Sequence, residues 1–260
     1  MSTESIDYFN PLDPEHRSSP EALMRASRAG CPVGKVSDIL YTVNTDADVR
    51  GVFDDTTHFS NRGNFTVDAE DVPLPVAVIT NADPPVHTSL RARLMKDLAP
   101  ARLRTLAPKV GDLVNETAAA LPAAGKVDLY QDYVHAIPTA VLYTVIGIPR
   151  ADWDEIQSWS DVVVATVPAP LEDLPEFASL MRYLGVLVEA RRNSPRPDQP
   201  QDVLDNLCFA DAGEVEMPTF EVVAHIFQLV VAATDTTRAL IANCLFRLFG
   251  VPRAMGGSGG

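Results

Sequence analysis

The longest pattern along the chain runs from Thr219 to about Phe249, "TFEVVAHIFQLVVAATDTTRALIANCLFRLF". Apolar residues occupy nearly every face of this segment at helical spacing, and neither Gly nor Pro interrupts it. Such a segment predicts one long helix through a core, started by Thr219 as N-cap. A membrane span is the rival reading. Glu221, His225, Gln228, Asp235 and Arg238 break the run, which never reaches the roughly 18 clean residues a span needs, so a central soluble helix is preferred.

Upstream, periodicity predicts further helices and little sheet. "SPEALMRASRAG" reads as a short helix stopped at Gly30, and "ILYTV" as a strand. Asp46 is expected to cap a helix over "ADVRGVFDD", and Arg62 to Val78 reads as loop, with Pro73 and Pro75. "DPPVHTSLRARLMKDLA" has Asp83 as expected N-cap, prolines in the first turn and an apolar stripe Val86, Leu90, Leu94, Leu98. "PARLRTLAPKVGDLVNETAAALPAAG", "YQDYVHAIPTAVLYTVIGIP", "ADWDEIQSWSDVVVATV", "LEDLPEFASLMRYLGVLVEARRN" and "QDVLDNLCFAD" continue the helical series. There is no internal repeat. The expected class is mainly α with a few short N-terminal β-strands. Residues 1–250 read as part of a single domain and 251–260, "VPRAMGGSGG" from Val251, as a Gly-rich tail without fold information.

Composition narrows the function classes. With 46% apolar and 22% charged residues over 260, the chain can bury a core. A formal net charge of −14 argues against nucleic acid, which requires a basic footprint. "MSTESIDYFNPLDPEH" is polar, so neither a signal peptide nor an N-terminal membrane anchor is expected. Cys31, Cys208 and Cys244 lie far apart with no metal-ligand spacing, which suits free thiols in a reducing cytosol. These features together predict a soluble, cytoplasmic, acidic protein without a protein-bound metal cluster.

Two constellations carry candidate chemistry. "AATDTT", residues 232 to 237, sets an acid and three hydroxyls inside the long apolar helix. An unpaired buried polar group costs roughly 2–7 kcal/mol. Its small alanines allow a flat or bulky group near the backbone, and Thr236 can bond or release a carbonyl one turn back. The plain alternative is an Asp235–Arg238 pair at i, i+3 with threonines satisfied by their own backbone. Separately, His87 and Arg91 stand four residues apart on one helical face, two donors able to clamp a carboxylate beside an apolar surface.

Together, "NADPPVHTSLRARLMKDLAPARL" and "LVVAATDTTRALIANCLF" resemble the soluble bacterial cytochrome P450 monooxygenases. The first is similar to that family's C helix with its His-x-x-x-Arg signature, the second to its I-helix motif Ala/Gly-Gly-x-Asp/Glu-Thr-Thr. "DADVRGVFDDTTHFSN" and "AIPTAVLYTVIGIP" also resemble family segments in the expected order. The resemblance implies the P450 fold, here incomplete, covering helices A to I. It implies haem b as cofactor, His87 and Arg91 bonding the haem propionates, and Ala232 and Ala233 against the haem face. Asp235 and Thr236 would be the acid–alcohol pair that delivers protons for dioxygen cleavage in an otherwise dry site. It further implies hydroxylation of a small apolar substrate, contacted by the segments Arg62 to Ile79 and Pro168 to Phe177. A ferredoxin-type electron donor would dock near Arg91, Arg93, Lys96, Arg102 and Arg104; an ordinary solvated helix face is the alternative for that basic run.

Departures from the family pattern matter. Ala233 stands where the family usually has Gly. No Phe-x-x-Gly-x-x-x-Cys-x-Gly thiolate loop occurs within the 260 residues, and "EARR" at Glu189 to Arg192 matches the family's Glu-x-x-Arg only in letters. Thiolate ligation drives O–O cleavage, so the chain as written is expected to be inactive, and a non-catalytic helical module binding an apolar ligand or haem is the alternative reading. A one-base frameshift in a GC-rich tail would turn a family-like continuation into Arg253 to Gly260; an engineered linker is the rival. Either way the long helix would lose part of its apolar cover, which predicts self-association. Size-exclusion chromatography checks this: a monodisperse, cooperatively melting monomer contradicts it.

Overall fold

The computed structural model describes residues 8–10, 13–18, 20–62, 77–96, 98–122, 125–166, 171, 173–211 and 215–249, and of these the side chains of all but 18, 233–235 and 249. The chain divides into two compact units, Met1–Thr88 and Ser89–Gly260. The candidate substrate segment Arg62 to Ile79 falls largely outside the described residues, as do Pro168 to Pro170 and Glu172 of the second segment and the Gly-rich tail.

The first unit holds α1 (Pro14–Ser18), α2 (Pro20–Ala29), β1 (Val33–Lys35), β2 (Tyr41–Val43) and α3 (Asp46–Asp54). β1 and β2 pair antiparallel with Gly34 opposite Thr42. The Tyr8 ring lies against Gly34 where any side chain would stand, so the strand pair needs a glycine there. α3 is capped by Thr45 rather than Asp46: the Thr45 hydroxyl accepts the Asp48 N–H at 3.2 Å. Asp46 itself sits in the first turn, where its charge favours the helix N-terminus.

α4 (Val86–Leu94) follows Pro84 and Pro85 and is shorter than its sequence suggests. Asp83 does not spend its carboxylate on capping. It accepts the Ser60 hydroxyl at 2.6 Å and the Asn61 N–H at 2.9 Å, which tie down the loop before it. Those bonds hold its carboxyl below the usual carboxylate range. The expected apolar stripe is no core seam either, because Val86 and Leu98 are exposed and Leu94 alone is buried.

The second unit is helical throughout its described residues: α5 (Pro100–Ala120), a π-helical turn (Tyr130–His135), α6 (Ala136–Ile146), a 3-10 turn (Arg150–Asp152), α7 (Trp153–Thr166), α8 (Pro175–Arg192), α9 (Val203–Cys208) and α10 (Thr219–Phe249). α10 packs on α6, α7, α8 and α9, while α7 packs on α8 and α5 on α6. Ile146, Ile156, Leu184, Leu204, Ile226 and Val230 are among the fully buried side chains at these contacts. Burying each such side chain stabilises by about 1.5–3 kcal/mol. By length and composition alone α10 could cross a membrane. Its burial of Val222, His225, Ile226 and Val230 against neighbouring helices makes it the central helix of this unit instead.

The Thr219 hydroxyl also does other work than capping. It donates to Glu189 at 2.6 Å and accepts from Arg192 at 2.8 Å, so both ends of the "EARR" letters hold the start of α10. Next to Arg192, Arg191 bonds both carboxylate oxygens of Asp202 at 2.9 Å and also bonds Asp205. Asp202 caps α9, accepting the Asp205 N–H at 2.8 Å.

That Asp202 carboxylate closes over Gly147, the C-cap of α6, whose φ of 95° lies in the left-handed region. A side chain there would be strained and would strike the carboxylate. Gly147→Ala is therefore expected to destabilise the protein by about 2 kcal/mol or more, read as a lower urea midpoint at an unchanged slope.

Candidate functional site

His87 and Arg91 lie one turn apart on α4, His87 half-buried and Arg91 exposed. Among the described residues the Arg91 guanidinium has no ion-pair partner, so it remains available to an anion. On α10, Thr236 is exposed and its hydroxyl donates to the Ala232 carbonyl one turn back at 3.2 Å. This is the local bond expected of a hydroxyl inside a helix, and it can be exchanged for another partner. Ala232 is exposed beside it. The Ala233 and Asp235 side chains fall outside the described residues; their backbone lies within α10.

Arg238 has partners outside its own helix. It is 5% exposed, and its guanidinium donates to Asp161 of α7 at 3.0 Å and to the Thr139 hydroxyl of α6 at 3.0 Å. Asp161 also accepts from Gln157 at 2.7 Å and meets His135 at 3.1 Å. Asp161 lies outside both sequence constellations, and "SWSDVVV" offers no signal that its acid would find a partner 77 residues on. His135, Thr139 and Gln157 also line a cavity of about 510 Å³ between α5, α6 and α7.

Of the three thiols, Cys31 and Cys244 are exposed. Cys208 is fully buried and its pKa is pushed up to about 11 by burial, so it stays a thiol and a poor metal ligand.

The relatives of the chain agree on one family. It is 30% identical over 259 residues to the vitamin D(3) 25-hydroxylase of Pseudonocardia autotrophica, a match covering 96% of this chain and 62% of that protein. Cytochrome P450 130 of Mycobacterium tuberculosis is 26% identical over 212 residues, covering 79% of this chain and 52% of that one. The structure of cytochrome P450 CYP109Q5 from Chondromyces apiculatus superposes with a TM-score of 0.76 at 26% identity, over 91% of this chain and 60% of that one. The chain is similar to cytochrome P450s along most of its length and shares their fold. No protein-family model matches it. It spans about half to three fifths of the length of these relatives.

In this chain the basic run on α4 and α5 is only partly open. Arg93 reaches the carbonyls of Asn206, Leu207 and Val215 at 3.3–3.5 Å and so faces the C-terminal end of α9. A cation there meets the negative end of the helix dipole. Lys96 pairs with Asp211 at 2.8 Å. Arg91 and Arg104 stay exposed and Arg102 half-exposed.

One buried polar group escaped the sequence reading as a chemical feature. His225 on α10 is 1% exposed, and neither ring nitrogen has a hydrogen-bond partner among the described residues. Burial first, then the nearby Arg93 charge, lowers its pKa to about 4. Below about pH 6.5 the unfolded chain takes up a proton on this histidine that the folded chain refuses until about pH 4. Stability is therefore expected to fall across that window by as much as about 3 kcal/mol from this group. Urea melts between pH 7 and pH 4 check it: His225→Phe should show a shallower decline than the parent, and equal slopes would dismiss the effect.

Proposed function

We propose that these 260 residues form the part of a haem-dependent monooxygenase that grips the haem propionates and handles protons beside the oxygen-binding face, acting on a small apolar substrate. The observation that carries this reading is the Thr236 hydroxyl resting on the Ala232 carbonyl at an open turn of α10, in a chain similar to cytochrome P450s. A hydroxyl held by an exchangeable backbone bond can turn to a water or a substrate oxygen without leaving a buried orphan.

The residues present suit haem b on the distal and propionate sides. His87 and the unpaired Arg91 guanidinium are charge-assisted donors for carboxylates. Ala232, and Ala233 by its sequence position, are small enough for close approach of a flat ring. When bound through a thiolate, haem supplies the electron-rich iron that activates dioxygen. Thr236 would position a proton at its hydroxyl, and Asp235 would return protons to it from solvent. The apolar residues of α10 would keep other water out. The iron ligand is not met by Cys208, a buried thiol, and the thiolate loop lies outside the 260 residues, so this chain alone is expected to be inactive.

The name of the Pseudonocardia relative, a vitamin D(3) hydroxylase, supports an apolar organic substrate. An acidic, ferredoxin-type electron donor suits the exposed Arg91, Arg102 and Arg104, with Arg93 and Lys96 committed within the chain. A cytoplasmic location agrees with the free thiols and with the bacterial relatives.

Haem titration of the purified chain tests the reading. We expect a shifted Soret band on adding haem and affinity about tenfold weaker for Arg91→Ala, the loss of one charge-assisted bond. The reduced, CO-bound form should lack a thiolate-type band. No spectral change in the parent, or equal affinity in Arg91→Ala, would overturn the reading.

A further inference from the structure

The C-terminal half of α10 poses a question of orientation. Positions on a helix advance by 100° per residue, so Arg238, Ile241, Ala242 and Leu245 share one side. These four are buried or half-buried. Ala232, Thr236, Leu240 and Asn243 lie on the opposite side, and all four are exposed, Leu240 at 63%. Phe246, between the two sides, is 67% exposed. The open side is the more polar of the two, with Thr236, Asn243 and Arg247, yet it still carries Leu240. Apolar burial favours the packed side but, being non-directional, does not fix the helix setting to one residue.

The charged group does distinguish them. Arg238 is buried, and of its donors two are directed: one to the Asp161 carboxylate of α7, one to the Thr139 hydroxyl of α6, each at 3.0 Å. Asp161 is itself held by Gln157 and His135, and Thr139 by the His135 carbonyl at 3.1 Å, so both acceptors are held by contacts outside α10. A rotation of α10 by one residue would carry the guanidinium away from both and leave a buried cation unpaired.

We propose that Arg238, held by Asp161 and Thr139, is the positioning residue that sets the rotation of α10 and so keeps Ala232 and Thr236 on its open face. This rests on the function assigned above to that face, but the rotation itself is measured without haem. Buried ion pairs are best attested in such register-setting roles. The outward face then stays available to a cofactor, Leu240 included.

Thiol labelling reads the rotation. In a background with Cys31→Ser and Cys244→Ser, which removes the exposed native thiols, single Thr236→Cys and Ile241→Cys probes are labelled at several reagent concentrations. The expected parent labels fast at 236 and slowly at 241. Arg238→Met should slow labelling at 236 by about tenfold and speed it at 241, a shift of about 1.4 kcal/mol between settings. The double exchange Arg238→Asp with Asp161→Arg should restore the parent pattern. Should Arg238→Met unfold, both probes label fast, and Asp161→Asn decides by the same two rates, since that half-exposed position keeps its volume. Parent rates at both probes in a folded Arg238→Met, or in Asp161→Asn, overturn the proposal. Absent haem binding with the labelling pattern as expected would instead overturn the functional reading and leave the positioning role standing.

Discussion

A helix that is apolar nearly all round can be buried in many rotations, yet a site on it works in only one. α10 meets this constraint differently in its two halves. Its first half is enclosed: Val222, Ile226 and Val230 are fully buried, with α6, α8 and α9 among its neighbours. Surrounded on most sides, that half gains about 1.5–3 kcal/mol per large side chain from packing. The second half has one covered side, and there a single guanidinium between two helices carries the directional information that apolar contacts lack.

The frame around α10 is tied by similar polar contacts at its corners. Arg191 and Arg192 leave the end of α8 in different directions, one to Asp202 and Asp205 of α9, the other to Thr219 at the start of α10. Arg93 of α4 turns to the carbonyl end of α9. Gly147 accommodates the Asp202 carboxylate because it has no side chain. Each tie joins elements far apart in sequence that apolar packing alone would let slide, since a partially mispacked helix still buries much of its surface. Breaking one member leaves its partner charged and partly desolvated, which is why such ties specify position more than they add stability.

Helix identities were legible because period and punctuation act locally. The long run from Thr219 to Phe249 needed no partner to be read. The cap of α3 lies one residue earlier than Asp46, at Thr45, and the acid before α4 serves a loop instead of the helix. Asp83 serves a loop 22 and 23 residues back, a choice that nothing near it discloses. Likewise Arg238 bonds an acid on a different helix, 77 residues back, which nothing near it discloses. The candidate site divided the same way: His87, Arg91 and Thr236 followed from spacing and family resemblance, whereas Asp161, Thr139 and His225 become chemically notable only when the chain is folded around them.

His225 and Arg238 illustrate two fates of a polar side chain in one buried helix. The guanidinium cannot shed its charge at any accessible pH, so the fold must supply acceptors, and the location of those acceptors dictates the helix setting. The imidazole can shed its proton, so the fold tolerates it without acceptors and burial simply drives it neutral. A neutral ring constrains nothing about rotation, which suits a half already enclosed by packing. The half bearing the acid–alcohol turn has less packing to guide it, and there the group that cannot be neutralised is the one that was placed.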